Sequence, residues 1–216
     1  MLKADLHVHT KYSLDCNTPL EKIVSRCLEV GINCLAICDH GTAEGALKLQ
    51  KIAPFKVIVA EEIMTPDGEI MGMFLKKSIP SRIPVKEAIA RIRAQGGLVC
   101  VPHPFDRLRS SAMRNHMVER IADEIDIVEV FNSRIIFPHF AAKARAFAKK
   151  KNLPRSAGSD AHTIYEIGNA YVEMPEFKGR DDFIKALKKG KISGHVTNPF
   201  IHFASAWTKL KKRRRG

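Results

Sequence analysis

Short apolar runs, each followed by a segment with helical periodicity, recur along the chain from Leu2 to Lys189. Residues 2–6, 34–38, 56–60, 98–101, 127–131, 155–157 and 169–173 are too short for helices and rich in Val, Ile, Leu and Cys, as buried strands are. Helices are expected over 18–31, 42–52, 85–95, 113–123, 137–151 and 181–189, several bounded by Gly or Pro. In the first, Thr18 stands as N-cap, Pro19 at N1 and Glu21 as the capping-box partner. Leu20, Ile23, Val24, Cys27 and Leu28 form its buried stripe, and Gly31 ends it. Asp67-Gly68 marks a turn into a hairpin partner over 69–75. Repeated β-α units of this kind imply an α/β fold, a closed or nearly closed parallel barrel wrapped in helices. An open doubly wound sheet is the runner-up. It fits less well, because the residues with chemistry to offer come from at least six strands.

Those residues sit where strands end. His7 and His9 close the first strand, two positions apart on one face and roughly 7 Å from each other by strand rise. Asp15, Asp39-His40, Glu61-Glu62, His103-Pro104 and Asp160-Ala161-His162 each follow a later run. Singly, each has a plain structural explanation, such as a turn, a cap or a solvated acid. Together, His7, His9, His40, His103 and His162 with Asp15, Glu62 and Asp160 form a mixed nitrogen and oxygen donor set. Such a set suits Zn²⁺, Mn²⁺ or Fe²⁺ better than Ca²⁺, and the lack of thiolates resembles a catalytic rather than a structural site.

A chain of 216 residues suits one domain or one domain with a small appendage, and this length buries roughly 70% of the unfolded surface without staples. The five cysteines (16, 27, 34, 38 and 100) include no Cys-x-x-Cys pair, and Cys34, Cys38 and Cys100 fall in apolar runs as small core residues. With no membrane-length apolar run and no secretory h-region at the start, a reduced, cytoplasmic setting is expected. The formal charge is +13, from 36 Lys and Arg against 23 Asp and Glu, and six of the cations crowd into the last eight residues. Excess positive charge serves solubility or attracts polyanions such as nucleic acid.

In order and spacing, His7-x-His9, Asp15, Asp39-His40, Glu61-Glu62-Ile63, His103-Pro104 and Gly158-Ser-Asp-Ala-His162 resemble the motifs of the polymerase and histidinol phosphatase (PHP) family, over about residues 3 to 175. The resemblance implies a distorted (β/α)7 barrel, two or three divalent metal ions at the carboxyl edge of the strands, and hydrolysis of phosphate esters. Carried onto this chain, it puts His7, His9, Glu62 and Asp160 around a first ion, lets Glu62 bridge to a second ion shared with His103, and gives Asp15, His40 and His162 to a third. Either glutamate of the pair can bridge; Glu62 is preferred because it precedes Ile63, as in the family pattern. Family members often carry a histidine on the next strand, where this chain reads Asp67-Gly-Glu-Ile-Met71. Glu69 is the substitute oxygen ligand, or the second ion is weakly held.

The chemistry so implied is in-line attack by a hydroxide shared between metals, with Asp160, His162, Glu62 and His40 as the catalytic group. Arg107 and Arg109 after His103, and Arg134 after the 127–131 strand, are the candidates for binding phosphate not held by metal, because guanidinium groups grip it bidentately. The substrate class implied is a nucleotide or an oligonucleotide end, as for 3′,5′-bisphosphate phosphatases or 5′→3′ exonucleases. Histidinol phosphate or another small ester is the alternative, and a non-catalytic nucleic-acid-binding barrel is a further one. The barrel is expected to fill residues 1–198. Residues 199–216, with Phe200, Phe203 and Trp207 at helical spacing, are expected to form a final helix and a basic tail suited to RNA, DNA or anionic-lipid contact.

Overall fold

The structure, a computed structural model, describes residues 1–198, 201, 207, 208 and 210–212. Its strands are β1 (Leu2–Val8), β2 (Cys34–Ile37), β3 (Lys56–Thr65), β4 (Gly68–Met73), β5 (Leu98–Val101), β6 (Ile127–Asn132), β7 (Arg155–Gly158), β8 (Ala170–Met174) and β9 (Lys191–Gly194). The helices are α1 (Leu20–Val30), α2 (Glu44–Ile52), α3 (Val85–Ala94), α4 (Asn115–Arg120), α5 (Pro138–Lys150) and α6 (Arg180–Lys188). The strands form one sheet in the order β7-β6-β5-β4-β3-β2-β1-β8-β9. Strands β1, β2 and β3 pair in parallel, as do β5, β6 and β7. Between these triplets β4 runs antiparallel to both neighbours. On the other flank, β8 is antiparallel to β1, and β9 to β8.

This sheet curls until β7 meets β1. They join near their carboxyl ends, where Val8 and Ala161 form a parallel bridge, Asp160 N donates to His7 O (2.7 Å) and His9 N donates to Ala161 O (2.9 Å). The approach is so close that a Cβ at Gly158 would overlap the backbone and Cβ of His7. The result is an α/β fold with a nearly closed barrel. Small and flexible side chains (Ala4, Ala36, Ala60, Ala157, Met71 and Met73) fill the interior. The edge-on rings of Phe74, Phe177 and Phe183 pack with them. The outward faces of the strands pack on the helices through Ile23, Leu49, Ile89, Ile92 and Phe147.

Several local expectations change. The capping box at Thr18 does not form: α1 starts at Leu20 with no side-chain cap, and the Thr18 hydroxyl donates to His162 O at 3.4 Å. Leu28 is 60% exposed, since it lies about 100° around the helix from the stripe of Leu20, Ile23 and Cys27. Gly31 does end the helix, in the left-handed conformation (φ 74°). The 113–123 helix shortens to α4 and a 3-10 turn over Ala122–Glu124, β3 runs five residues beyond Ala60, and β9 was not foreseen. All five cysteines are buried free thiols. Among the described residues no helix is long and apolar enough to cross a membrane. Phe200 and Phe203, the anchors expected for a final helix, lie outside the described residues. Trp207 is exposed.

Candidate metal centre

Strand parity decides which side chains reach the barrel mouth. Along β3, Ile58 and Ala60 face the interior, and Glu62 follows them on the same face. Glu61 shares the outward face of Val57, Val59 and Ile63 and accepts from Ile79 N (2.9 Å). Along β4, Glu69 continues the interior face of Met71 and Met73. In β1 the parity changes: Leu2, Ala4 and Leu6 face inward, yet His7 and His9 do too. An irregularity in the β1–β2 register between Asp5 and Val8 makes this switch, as bulges near sites often do. His103 and Asp160 are held at positive φ (29° and 55°), a strain of about 1–3 kcal/mol each that Glu129 and the β1 backbone sustain through hydrogen bonds.

The donors converge. Four groups have one ligand atom per residue lying within 4.8 Å of one another: His9, Asp15, His40 and His162; His7, Glu62 and His103; His7, His9 and Asp160; and His40, Glu62 and Glu69. Every metal ligand expected from sequence, Glu69 included, therefore lies in one buried cluster. Asp15, His40, Glu62, Glu69, Asp160 and His162 line a cleft of about 780 Å³ whose wall also includes Arg82, Arg109, Ser110, Ser111 and Arg134, and His7, His9 and His103 lie behind them. Of the three expected arginines, Arg109 binds Asp160 (2.5 Å) and Asn132 (3.3 Å). Arg134 is buried; its Nε donates to Glu166 (2.8 Å) and its Nη1 lies 3.1 Å from His162 Nδ1. Arg107 is exposed and does not line the cleft.

Behind these side chains lies a second set of partners, in which Glu129 and Glu166 were missed from sequence. Glu129 Oε1 accepts from His7 Nδ1 (3.0 Å), and its Oε2 accepts from His103 N (2.6 Å) and Asn132 Nδ2 (3.0 Å). This leaves His7 Nε2 turned into the cluster, as a ligating imidazole requires. The signal was present: Glu129 is an acid between Val128 and Val130 in a strand otherwise buried, and such an acid needs a partner. Asp39 accepts from Thr10 N and Oγ1, both at 2.6 Å. The space beside it is so tight that a Cβ at Gly45 would strike the carboxylate. Glu166 accepts from His162 N (3.0 Å) and Thr163 N (2.9 Å). The loop carrying Asp15 is tied to the far end of the chain, where Lys212 Nζ donates to the carbonyls of Lys11, Ser13 and Cys16 at 2.7–2.9 Å.

Electrostatics show that the cluster calls for positive charge. Burial alone would lower His7, but Asp160, Glu129 and Glu62 outweigh it and hold the ring well above its ordinary value. His40 is likewise raised, to about 10, because Glu62 and Asp15 overcome its burial. His9 goes the other way, down to about 4, through burial and the neighbouring His162. Burial works against the charged forms of Glu62 and Asp160, yet both stay well below the usual carboxylate range: His7 and His40 hold Glu62 down, and Arg109 and His7 hold Asp160 down. Burial and the charge of Glu62 raise Glu69.

The residues fit divalent cations. His7 Nε2 and His9 Nε2 face each other at 3.2 Å, a contact two lone pairs would not make without a proton or an ion between them. The buried Nδ1 atoms of His9, His40 and His103 have no hydrogen-bond partner. Among the described residues, five buried or nearly buried carboxylates (Asp15, Glu62, Glu69, Glu129 and Asp160) meet only two arginines at this cluster, one of them already paired to Glu166. Desolvated negative charge of this kind is stable only when compensated.

Comparison with known proteins agrees. The family model described as PHP domain matches residues 5–65, and the one described as PHP-associated matches residues 138–192. The uncharacterized protein MJ0417 of Methanocaldococcus jannaschii is 42% identical over 200 residues, covering 87% of this chain and 79% of its own. The chain belongs to the PHP family. The PHP match holds His7, His9, Asp15, His40 and Glu62, and the PHP-associated match holds Asp160 and His162; Glu69, His103 and Glu129 lie between them. Among solved structures, a two-domain protein of Bacteroides vulgatus, described as containing a predicted PHP-like metal-dependent phosphoesterase, is similar with a TM-score of 0.70 at 17% identity. That match covers 96% of this chain and 69% of that one. PsfC of Pseudomonas syringae is similar with a TM-score of 0.68 at 14% identity, covering 97% and 98%. At such identities the likeness is one of PHP-type fold.

Proposed function

We propose that this PHP protein is a metal-dependent phosphoesterase acting on a nucleotide or on an oligonucleotide end. The observation that carries this is the convergence of five histidines and four carboxylates in one cluster, six of whose members, His40, His162, Asp15, Glu62, Glu69 and Asp160, line one cleft. Two or three divalent ions, of zinc, manganese or iron, fit the donor set. His7, His9, Glu62 and Asp160 would hold one; Glu62, His103 and Glu69 a second; Asp15, His40 and His162 a third. Bound there, such ions supply an acidified water as nucleophile and draw charge from the phosphoryl oxygens.

The protein's own groups do the rest. Arg109 keeps Asp160 ionised and presents guanidinium to the cleft. Glu166 accepts from both His162 N and Arg134 Nε, holding the His162 backbone and the arginine beside it, and Asp160 O accepts from His162 Nδ1 (2.8 Å) in the tautomer that leaves Nε2 facing Asp15. Glu129 fixes His7 in the corresponding way. At the mouth, Leu14, Leu108 and Ile136 remain largely exposed beside Arg82, Ser110 and Ser111. An apolar rim next to cations and hydroxyls suits a flat base attached to a phosphate, and the cleft volume suits one nucleotide.

The test is hydrolysis of p-nitrophenyl phosphate by metal-stripped protein given back Mn²⁺, Zn²⁺ or Fe²⁺, followed by nucleotide 3′,5′-bisphosphates, 5′-phosphorylated oligonucleotides and histidinol phosphate. Metal-dependent phosphate release, fastest from the nucleotide substrates, is expected. No release with any ion would sink the enzymatic reading, and a strong preference for histidinol phosphate would sink the substrate class.

A further inference from the structure

At the opposite end of the barrel, where β7 and β9 begin, lies a groove of about 600 Å³ that continues into a smaller one of about 470 Å³. Its banks carry Arg145 and Lys149 from α5, Arg155 from the start of β7, Lys188 from the end of α6 and Lys191 from the start of β9. Among the described residues, no aspartate or glutamate lines either part. All five cations are exposed, and among the described residues none makes an ion pair, although exposed Arg91 and Lys48 elsewhere do. Every one of the five belongs to the PHP-associated match, residues 138–192.

The position follows from the incomplete closure of the sheet. β7 is bridged to β1 only at the rim, so towards its amino end the seam opens, and α5, α6 and β9 flank it. The floor is apolar: Leu153, Leu187 and the half-buried Ile192 and Phe131.

We propose that this groove binds the phosphodiester backbone of single-stranded nucleic acid. Three features choose that ligand. Cations stand on both banks, and Arg145 and Lys149 are set about 6 Å apart along α5 by helix rise, so more than one phosphate is met along the groove. The shape is concave, which admits a chain and not the flat face of a bilayer. The apolar floor beside the cations gives a base a place to rest, the pairing of charge with stacking surface that sequence-tolerant single-strand binders use. The site is separate from the metal cluster and needs no catalysis to be detected. As an exosite it would hold the body of an oligonucleotide whose end is processed at the cleft, and that role rests on the function proposed above.

The experiment is fluorescence anisotropy of a labelled 20-nucleotide single strand, as RNA and as DNA, with full-length protein in EDTA to prevent turnover. Wild type is compared with the triple variant Arg145→Gln, Arg155→Gln, Lys188→Gln. If all five cations meet phosphates, wild-type affinity should fall on the order of 100-fold between 50 and 200 mM salt, and that of the variant only about 7-fold. At the lower salt the variant should bind at least about 10-fold more weakly. Its metal-dependent rate on p-nitrophenyl phosphate, or its metal uptake if that ester is not hydrolysed, should match wild type, showing an intact fold. Equal oligonucleotide affinity and salt slope in the two proteins would overturn the proposal, placing any binding elsewhere on the basic surface. So would a groove-dependent affinity for phosphatidylserine vesicles with none for either nucleic acid.

Discussion

The two ends of this barrel carry their charges in opposite ways. At the carboxyl edge, histidines and carboxylates are buried and interlocked, each with its ionisation set by the next: His7 by Asp160 and Glu129, Asp160 by Arg109. At the amino edge, arginines and lysines stand in water with no acidic partner among the described residues. Burial makes the first set strong, dependent on pH and costly to break, since a charge left alone there has lost its solvent. Hydration makes the second set weak singly, screened by salt and effective only in number. One end is built to change the protonation and metal state of small groups, the other to sum over a long anion.

The contrast can be broken in several places. Asp160→Asn should cause the largest change, a loss of at least about 10³-fold in kcat/KM on p-nitrophenyl phosphate, the order expected for removing charge at a reaction centre. Unfolding followed by circular dichroism should stay cooperative. Near-normal turnover would remove Asp160 from the chemistry. Asp5 should show the pH signature of the buried end. Its carboxyl is raised from 3.8 to about 6, burial outweighing the N–H groups of Ser159, Gly168 and His7 that it accepts from. Because the folded value exceeds the unfolded one, its stabilisation is full below 3.8 and is lost as the pH rises through 6. Relative to Asp5→Asn, the wild type in EDTA should therefore gain about 3 kcal/mol of unfolding free energy between pH 7 and pH 3.5. Urea titrations at the two pH values measure this, and a constant gap would show that Asp5 does not titrate as its burial demands.

Glu129→Gln should weaken metal affinity about 10- to 100-fold, the usual effect of loosening a carboxylate that orients a ligating histidine. Competition with a chromogenic chelator reads that loss, and unchanged affinity would make Glu129 a mere filler of the interior. The smallest effect belongs to the other end: Lys188→Gln should leave both Tm and p-nitrophenyl phosphate turnover within error of wild type. A clear fall in either would mean that the groove is structural and the comparison false.

The strands and the clustered histidines were legible because both announce themselves locally. A four-residue apolar run such as Leu98–Val101 can hardly be anything else in an alternating chain, and His7-x-His9 or Asp160-Ala161-His162 is short enough to read without knowing its neighbours. What escaped depends on distant partners. Thr18 satisfies the criteria for a helix cap but is drawn instead to His162 O, 144 residues away. Leu28 belongs to an apolar cluster in sequence, yet the face of α1 that is buried carries Leu20, Ile23 and Cys27. Glu129 was passed over as one residue of an apolar strand. The choice between Glu61 and Glu62 was left to a motif, although strand parity from Ile58 and Ala60 separates them on physical grounds. The groove was invisible because its five cations come from four elements and become neighbours only when the barrel fails to close.

The bridge between Val8 and Ala161 is the buckle of the hoop, and the donors stand on either side of it: His7 and His9 on one tongue, Asp160 and His162 on the other. An ion gripping both tongues would rivet the circumference, so catalytic loading and mechanical soundness become the same event. Backbone amides at Asp160 and His9 should then exchange hydrogen more slowly once ions are taken up, while those of β9 at the gaping end keep their pace.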